Sequence, residues 1–494
     1  MSNQSETKKG ITSREEDYSK WYLDVVDAAD LAENSSVRGC MVIKPYGYAL
    51  WENIQKILDA KFKETDVVNA YFPIFIPKSF FEREAEHVEH FAKECAIVTH
   101  HRLELDPQTG KLNPAGPLEE PLIVRPTSET IIYDTYSKWV QSYRDLPLLI
   151  NQWANIVRWE MRTRVFLRTM EFLWQEGHTA HATRPEAEDR AKQMVLVYKD
   201  FFEKYLAMPV LAGYKTESEK FAGADYTLCV EAMMQDGKAL QAGTSHMLGQ
   251  NFAKSFNVSF LDEKGARQFV WQTSWGVSTR MIGGLIMTHG DDKGVIMPPK
   301  IAPLQVVLVT IFASPEEQKL TISQAEQLAE KMKAAGIIAK VDARNERPGV
   351  KFFEWEKKGV PLRLEIGPKD VAKKQVVAVR RDTGDKMIIG LDEAVSRVEE
   401  LLEAIQKNLF DRAYKNRLAN TKAIDDYSAF KKQLEEKDVF ISAHWCGSSR
   451  CEAKIKEETK ATIRCIPFDN HAEKGKCLVC GEQSKERVVF AKAY

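Results

Sequence analysis

The chain has no surplus of either charge. Its 494 residues carry 70 Lys and Arg against 71 Asp and Glu, a formal net charge of −1. That balance excludes the global signature of a nucleic-acid binder and leaves room only for a basic patch on one domain, because net charge averages over the surface. Long apolar runs are also missing. The longest, "LQVVLVTIFA" at 304–313, suits a buried strand and falls short of the roughly 20 residues of a membrane-spanning helix. "MSNQSETKKGITSREEDYSK" at the N-terminus has no apolar h-region, so no secretory signal is read and a cytoplasmic protein with no membrane contact is expected. Neither an internal repeat nor a low-complexity tract occurs, which argues against a repeat architecture. Cysteine is scarce up to residue 445: Cys40, Cys95 and Cys229 stand scattered among apolar neighbours, as buried free thiols do, and build no disulfide framework.

What is present is a long, soluble, globular composition, with 44% hydrophobic and 29% charged residues. The length exceeds one ordinary core and implies two to four domains. Residues 1–20 read as frayed. Leu50, Ile54, Ile57, Leu58 and Phe62 recur at helical spacing over 46–65. "VVNAYFPIFIP" (67–77) reads as β-rich, with Pro73 and Pro77 limiting its ladder bonds. "RPTSETIIYDTYSKWV" (125–140) turns helical after its proline and hydroxyl residues. Strands are expected over 148–160 and 166–180 with "MRTRV" as the hairpin loop, then a long helix after Pro185 and short strands up to 300. From 301 the pattern becomes strand, helix (315–335), strand (337–342), helix (350–358), strand (361–366), strand (375–380), a compact α/β unit followed by a helix over 391–410. Residues 411–426 suit a linker or an exposed helix. The domains expected are therefore 1–300, 301–410 and 427–494, joined by the 411–426 linker.

Chemistry concentrates at "WQEGHTAH" (174–181). Residues two apart on a strand share a face, so Arg158 and Glu160 point one way, and Arg168, Met170, Phe172, Trp174, Glu176 and His178 line one side of the next strand. A cation, two aromatics, a carboxylate and an imidazole on one face read as a pocket floor. His181 has the opposite parity to His178, so an extended chain keeps the two from sharing a metal. A zinc hydrolase of the His-Glu-x-x-His kind would need a helix here, and Gly177, Thr179 and Thr183 favour extended chain. At the other end, Cys446-x4-Cys451 and Cys477-x2-Cys480 supply four thiolates in two short-spaced pairs, which suits tetrahedral Zn²⁺ with no open position. Cys465 lies between the pairs without a close partner, and His444 could replace one ligand.

These residues resemble a known family. "VRWE", a loop and "RTMEF" resemble motif 2 of the class II aminoacyl-tRNA synthetases, "YFPIFIP" resembles motif 1, and "GVSTRMIGGLIMTHGDDKGVIMPP" resembles motif 3. "RPTSE", "FLWQEGH", "FAGADYT", "GTSHMLGQNF" and "CGSSRC…CLVCG…FAKAY" are similar to the prolyl-tRNA synthetase family in its archaeal/eukaryotic-like form, over nearly the whole chain. The resemblance implies an α+β and α/β multidomain fold. Its parts would be an antiparallel-sheet catalytic domain, an α/β anticodon-binding domain and a small C-terminal zinc-binding α/β domain.

It also implies an enzyme that joins L-proline to tRNA(Pro) with ATP and Mg²⁺, as a homodimer. Both reactants of activation are anionic, so cations must hold them in line, and a bidentate guanidinium suits this better than an ammonium. By resemblance Arg158 and Arg280 are catalytic, and Arg158, Glu160, Arg168, Thr169, Phe172, Gln241, Ser278 and Arg280 bind ATP. Thr127, Glu129, Arg158, Trp174, Glu176, His178, Phe221 and His246 bind proline. Glu356, Arg363 and Lys369 are the anticodon candidates, since loop guanines expose edges that these groups can bond. The four cysteines Cys446, Cys451, Cys477 and Cys480 would hold the zinc, and the terminal Tyr494 would pack toward the catalytic domain.

Relatives of another type insert an editing domain between motifs 2 and 3. Residues 182–270 leave no room for one, so alanine or cysteine mischarging, cleared by a separate trans-editing protein, is expected. The competing reading is a catalytically inactive synthetase-like protein that binds tRNA or regulates. The presence of Arg158, Glu160, Phe172 and Arg280 speaks against it.

Overall fold

The polar–apolar alternation across 148–181 becomes two long strands at the centre of the molecule. The computed structural model describes residues 10–82 and 94–494. The elements used below are β1 (Val68–Asn69), α1 (Glu129–Trp139), β2 (Leu148–Val157), β3 (Glu171–His181), α2 (Arg184–Lys204), β4 (Val210–Tyr214), β5 (Tyr226–Met233), β6 (Ala239–Gly249), β7 (Trp271–Ser278) and α3 (Arg280–His289). Strands β4 to β7, then β3, β2 and β1, lie side by side in one sheet, and every neighbouring pair but the last is antiparallel. The apolar face is closed by α2. Thr183 caps that helix in a reciprocal box with Glu186, and Ala187, Ala191, Met194, Tyr198, Phe201 and Phe202 bury its inner stripe. Face alternation is strict in β3. Gln175 on the α2 side is hydrogen-bonded to the Tyr198 hydroxyl, and Glu176 on the other side to Gln152.

The second unit begins at β8 (Val306–Thr310) and continues through α4 (Pro315–Ala334), β9 (Ala339–Asp342), α5 (Pro348–Lys357), β10 (Leu362–Ile366), β11 (Gln375–Arg380), β12 (Lys386–Gly390) and α6 (Ala394–Ala419). Its strand order is β9-β8-β10-β11-β12, parallel in the first three and antiparallel after. Val306 and Leu308 pack toward α4 and α6, while Val307 and Val309 face Trp355 of α5. Alternate residues of one strand thus build two cores.

The third unit has β13 (Thr421–Ala423), β14 (Phe440–His444), α7 (Ser449–Thr459), β15 (Thr462–Pro467) and β16 (Arg487–Ala491). It does not stand apart. Ile466 and Pro467 of β15 pair with Tyr214 and Gly213 of β4, so the sheet of the first unit and the C-terminal sheet form one 11-stranded sheet.

Several expectations change. β2 ends at Val157, and Arg158 and Glu160 sit in the turn beyond it, where Glu160 N donates to Arg158 O at 2.6 Å. β3 starts at Glu171, not 166: Phe166 and Leu167 turn inward and are buried, Phe166 in the left-handed region at φ 61°. Burying those two side chains outweighs extending the ladder, and it takes Arg168 and Met170 off the strand face. The strands β5 and β6 are long and central rather than short. A short helix at Pro368–Ala372 and the strand β12 escaped the sequence reading. Of the two readings of 411–426, the exposed helix holds for its first part, where α6 runs through Ala419 before β13. Residues 10–20 are held down, with Thr12 N bonded to Asp24 and Arg14 paired to Asp292; residues 1–9 lie outside the described part.

Gly177 in "EGH" has a packing reason. A Cβ there would stand 2.0 Å from the ring of Trp275, its cross-strand partner. Replacing it forces the indole out of a closed core, an overpacking cost of about 1–3 kcal/mol. Gly177→Ala is expected to lower the denaturation midpoint accordingly; an unchanged midpoint would refute the close packing.

Candidate active site

The polar face of β3 forms the floor of a cavity of about 660 Å³. Its walls come from β6, β7, the start of α3 and the segment 218–222. A side pocket of about 240 Å³ shares Arg158, Phe172, Ser278 and Arg280 with it and adds Glu94, Glu160, Arg168 and Thr169. All the residues singled out for ATP or proline line one of these two spaces. Arg168 reaches the side pocket from the connection, rather than from the strand that the sequence suggested.

One end of the cavity is carboxylate-rich and apolar. Arg125 is buried and anchors "RPTSE" by donating to the carbonyls of Phe72 and Asn155, each at 2.8 Å. That places Glu129 on the first turn of α1, where Thr127 donates to its carboxylate. Glu176 accepts from Ser128 and from Gln152 Nε2 (2.6 Å), and its other oxygen meets His178 Nε2 at 3.0 Å. Burial works against the Glu176 carboxylate, but His178, Ser128 and Gln152 outweigh it and hold its pKa below the usual range. Burial pushes Glu129 up; His178 opposes this, and the neighbouring Glu176 adds to it. Trp174 presents a buried indole N–H with no partner. Phe221 lies against His246, ring centroids 4.6 Å apart. Thr227 Oγ1 and Thr244 Oγ1 meet the two nitrogens of His246 at 2.9 and 3.1 Å. Burial, with His178 nearby, pulls His246 down to about 3, so it is neutral.

The other end is cationic. The Arg158 guanidinium lies 5.5 Å from the Phe172 ring centroid and 5.8 Å from that of Trp174, and Nε donates to Pro126 O at 2.9 Å. Arg280 opens α3 and donates from Nε to Leu167 O at 3.0 Å. Burial first, then Arg158 and Arg168, pull Arg280 down to about 10. Arg158 and Arg168 thus repel the Arg280 guanidinium, and the three arginines line the side pocket together with Glu94 and Glu160. A ligand with a cation at one end and several negative charges at the other matches this cavity, with Arg158 at the junction of both spaces.

His181 lies on the opposite face from His178, bonded to Thr179, and shares no ligand position with it. The thiols of Cys446, Cys451, Cys477 and Cys480 lie within 4.8 Å of one another, with Sγ separations of 3.8 Å (Cys446–Cys451) and 3.7 Å (Cys480–Cys446). A zinc tetrahedron with Zn–S of about 2.3 Å has S–S edges of about 3.8 Å, so the donor set fits Zn²⁺. His444 is turned away to Ser484. Cys465, expected to be alone, hydrogen-bonds Cys229, the two thiols meeting beside Gly213, where a Cβ would lie 2.6 Å from the Cys465 sulfur.

A separate cavity of about 360 Å³ in the second unit is lined by Glu356, Arg363, Phe352, Phe353 and Arg380. Arg363 stacks on Phe352 at 4.2 Å and pairs with Glu365; Glu356 pairs with Lys293. Lys369 sits exposed on the short helix Pro368–Ala372, off this cavity. Sequence reasoning missed Thr227, Thr244, Ser274, Gly276 and Lys456 on the main walls and Glu94 in the side pocket. Thr244 was findable, two residues before His246 on one strand. Lys456 was not, because nothing in its neighbourhood points across more than two hundred residues.

The architecture and the two-ended cavity are those of a class II aminoacyl-tRNA synthetase. A family model described as "tRNA synthetase class II core domain (G, H, P, S and T)" matches residues 115–289, and "Anticodon binding domain" matches 305–401. A third, "Prolyl-tRNA synthetase, C-terminal", matches 427–494. Proteins named proline--tRNA ligase from Porphyromonas gingivalis and Parabacteroides distasonis are 58% identical over 489 residues, covering 98% of this chain and 99% of theirs. The one from Flavobacterium johnsoniae is 58% identical over 490 residues, 98% of this chain and 100% of its own. The chain belongs to the proline--tRNA ligase family.

Three histidines are held neutral by burial: His181, His246 and His289, each at about 3, the first and third also repelled by Arg190 and Arg412. Their folded pKa lies below the unfolded value, so between about pH 6.5 and 3 only the unfolded chain takes up their protons. Their stabilising share is complete above pH 6.5 and falls as pH drops, by about 1 kcal/mol per pH unit for each histidine. Melting at pH 7, 6 and 5 should show this decline, and His289→Asn should flatten it; no difference in slope would refute the neutral assignment.

Proposed function

We propose that this chain activates L-proline with ATP and transfers it to the 3′ end of tRNA(Pro). The observation that carries the proposal is the position of Arg158, shared by the carboxylate-rich end and the cationic end of the cavity. The proline ammonium is received by Glu129, Thr127 and Glu176, and its ring is enclosed by Trp174, His178, Phe221 and His246. Arg158 bridges the proline carboxylate and the α-phosphate, so that charge building up at phosphorus is met by a fixed cation. A carboxylate oxygen attacks the α-phosphorus, the bond to the β-phosphate oxygen breaks, and pyrophosphate leaves with Mg²⁺. No protein base is needed, because the carboxylate is already ionised. Glu160 and Phe172 hold the adenine, and Arg168, Thr169, Gln241, Ser278 and Arg280 hold the phosphates and ribose. A ribose hydroxyl of the tRNA terminus then attacks the prolyl carbonyl, and AMP departs.

The second unit reads the anticodon with Glu356 and Arg363. Zn²⁺ in the four-cysteine site supplies a structural cross-link. Exposed Val68, Tyr71 and Phe75 in the stretch resembling motif 1 support a homodimer. No helix among the described residues is long and apolar enough to cross a membrane, and a cytoplasmic place suits the substrates. Among the described residues β3, α2 and β4 to β7 follow one another with no inserted domain, which favours the archaeal/eukaryotic-like form. A pocket for proline distinguishes alanine by only about 1–3 kcal/mol per missing methylene, so mischarging with alanine or cysteine and clearance by a separate protein follow.

ATP–pyrophosphate exchange with each of the twenty amino acids tests the function. Proline-dependent exchange supports it, and exchange with none supports a tRNA-binding protein without catalysis. Arg158→Ala should lower kcat/KM by about a hundredfold or more. His178→Ala should raise the proline KM more than the ATP KM; equal effects would refute the pocket assignment. The purified chain should carry one zinc, and Cys477→Ser should lose it together with thermal stability.

A further inference from the structure

Residues 215–221 leave the end of β4 and carry Phe221 against His246. The inner end of this segment is fastened both to β5, where Lys215 N donates to Thr227 O at 2.9 Å, and to the C-terminal unit. Lys215 Nζ donates to Glu231 Oε1 at 2.6 Å and to the carbonyl of Arg464 at 2.9 Å. Arg464 of β15 returns to the same carboxylate, with Nη2 at 3.1 Å from Oε1. Thr216 Oγ1 donates to Glu452 Oε1 of α7 at 2.7 Å. Lys215, Thr216, Glu231, Glu452 and Arg464 are all buried. Further along, Glu219 pairs with Lys456 of α7 at 3.3 Å, and Lys456 itself lines the cavity. The outer end is tied to β5, where Phe221 N donates to Thr227 Oγ1 at 2.9 Å.

We infer that the C-terminal unit positions the amino-acid end of the active site, with Glu452, Arg464 and Lys456 as positioning residues that act through 215–221 on Phe221. The segment 215–225 has no helix or strand of its own to hold it. Its conformation therefore rests on tertiary ties, to β5 at Lys215 and Phe221 and to the C-terminal unit at Lys215, Thr216 and Glu219. The buried ones count most: removing one partner strands the other without water, whereas the exposed Lys456–Glu219 pair adds little. Loss of a tie lowers the fraction of molecules with Phe221 in place, and the apparent affinity for the amino acid falls by that fraction. ATP, held at the far end of the cavity by Arg158 and Arg280, is spared. The proposal rests on the reading of this end as the proline pocket.

Exchange assays on the full chain compare Thr216→Val, Thr216→Ser, Glu452→Ala and the Thr216→Val/Glu452→Ala double variant. Thr216→Val and Glu452→Ala should each raise the proline KM about fivefold and leave the ATP KM within about twofold. The double variant should be no worse than either single, and Thr216→Ser, which keeps the hydroxyl, should match the unaltered chain. An unchanged proline KM, or proline and ATP KM rising together, overturns the inference. Limited trypsin digestion followed by mass spectrometry reads the anchoring without activity. Cleavage after Lys220 should be faster in Thr216→Val and Glu452→Ala than in the unaltered chain, and equal rates overturn the inference. If the unaltered chain shows no proline-dependent exchange, the proposed reaction fails instead, and the digestion still decides whether the segment is anchored.

Discussion

A half-buried guanidinium is costly to desolvate, and the fold around Arg158 is arranged to offset that cost. Burial lowers its pKa, while Glu129, Glu94 and Glu176 raise it, in that order. Those carboxylates come from three separate places in the chain, so offsetting the desolvation of Arg158 draws on α1, β3 and Glu94 at once. Two of them, Glu129 and Glu176, also make the apolar end of the cavity hospitable to an ammonium. In the proposed reaction, the charge that activates one substrate is thus supported by groups that bind the other. Arg280 shows the opposite balance, since its nearest charges are other arginines, and its guanidinium gains most when a polyanion arrives.

Much of this was legible in the sequence because alternation is a strong signal in a half-buried strand. Trp174, Glu176 and His178 share a face, His181 does not, and the structure keeps that division. The four clustered cysteines were legible because thiol pairs at short spacing carry their own geometry. Reading failed where a local pattern competed with tertiary burial. "VFLRT" looks like a strand opening, yet Phe166 and Leu167 gain more by turning into the core. The polar stretch after 411 suits a linker or an exposed helix alike, and the helix forms because α6 buries Leu402, Ile405 and Leu409 before it emerges.

Contacts between distant units left no trace in either pattern. Nothing near Arg464 announces Glu231, and nothing near Cys465 announces Cys229. Such pairs depend on the pairing of β15 with β4, which is set by the three-dimensional course of the chain. Lys369, whose residue type and neighbourhood suit a nucleotide contact, lies exposed outside the cavity that holds Glu356 and Arg363, a placement that its local sequence does not reveal.

The shared sheet has a consequence for how the protein is made. Strand β4 is flanked on one side by β5 and on the other by β15, which lies within the last few dozen residues. Until those residues leave the ribosome, β4 is an open edge with unpaired N–H and C=O groups, the kind that recruits other chains. A product of premature termination keeps that edge permanently. Strand order therefore makes an incomplete copy adhesive and short-lived, so that one unable to seat its amino-acid end also identifies itself to the machinery that removes misfolded chains.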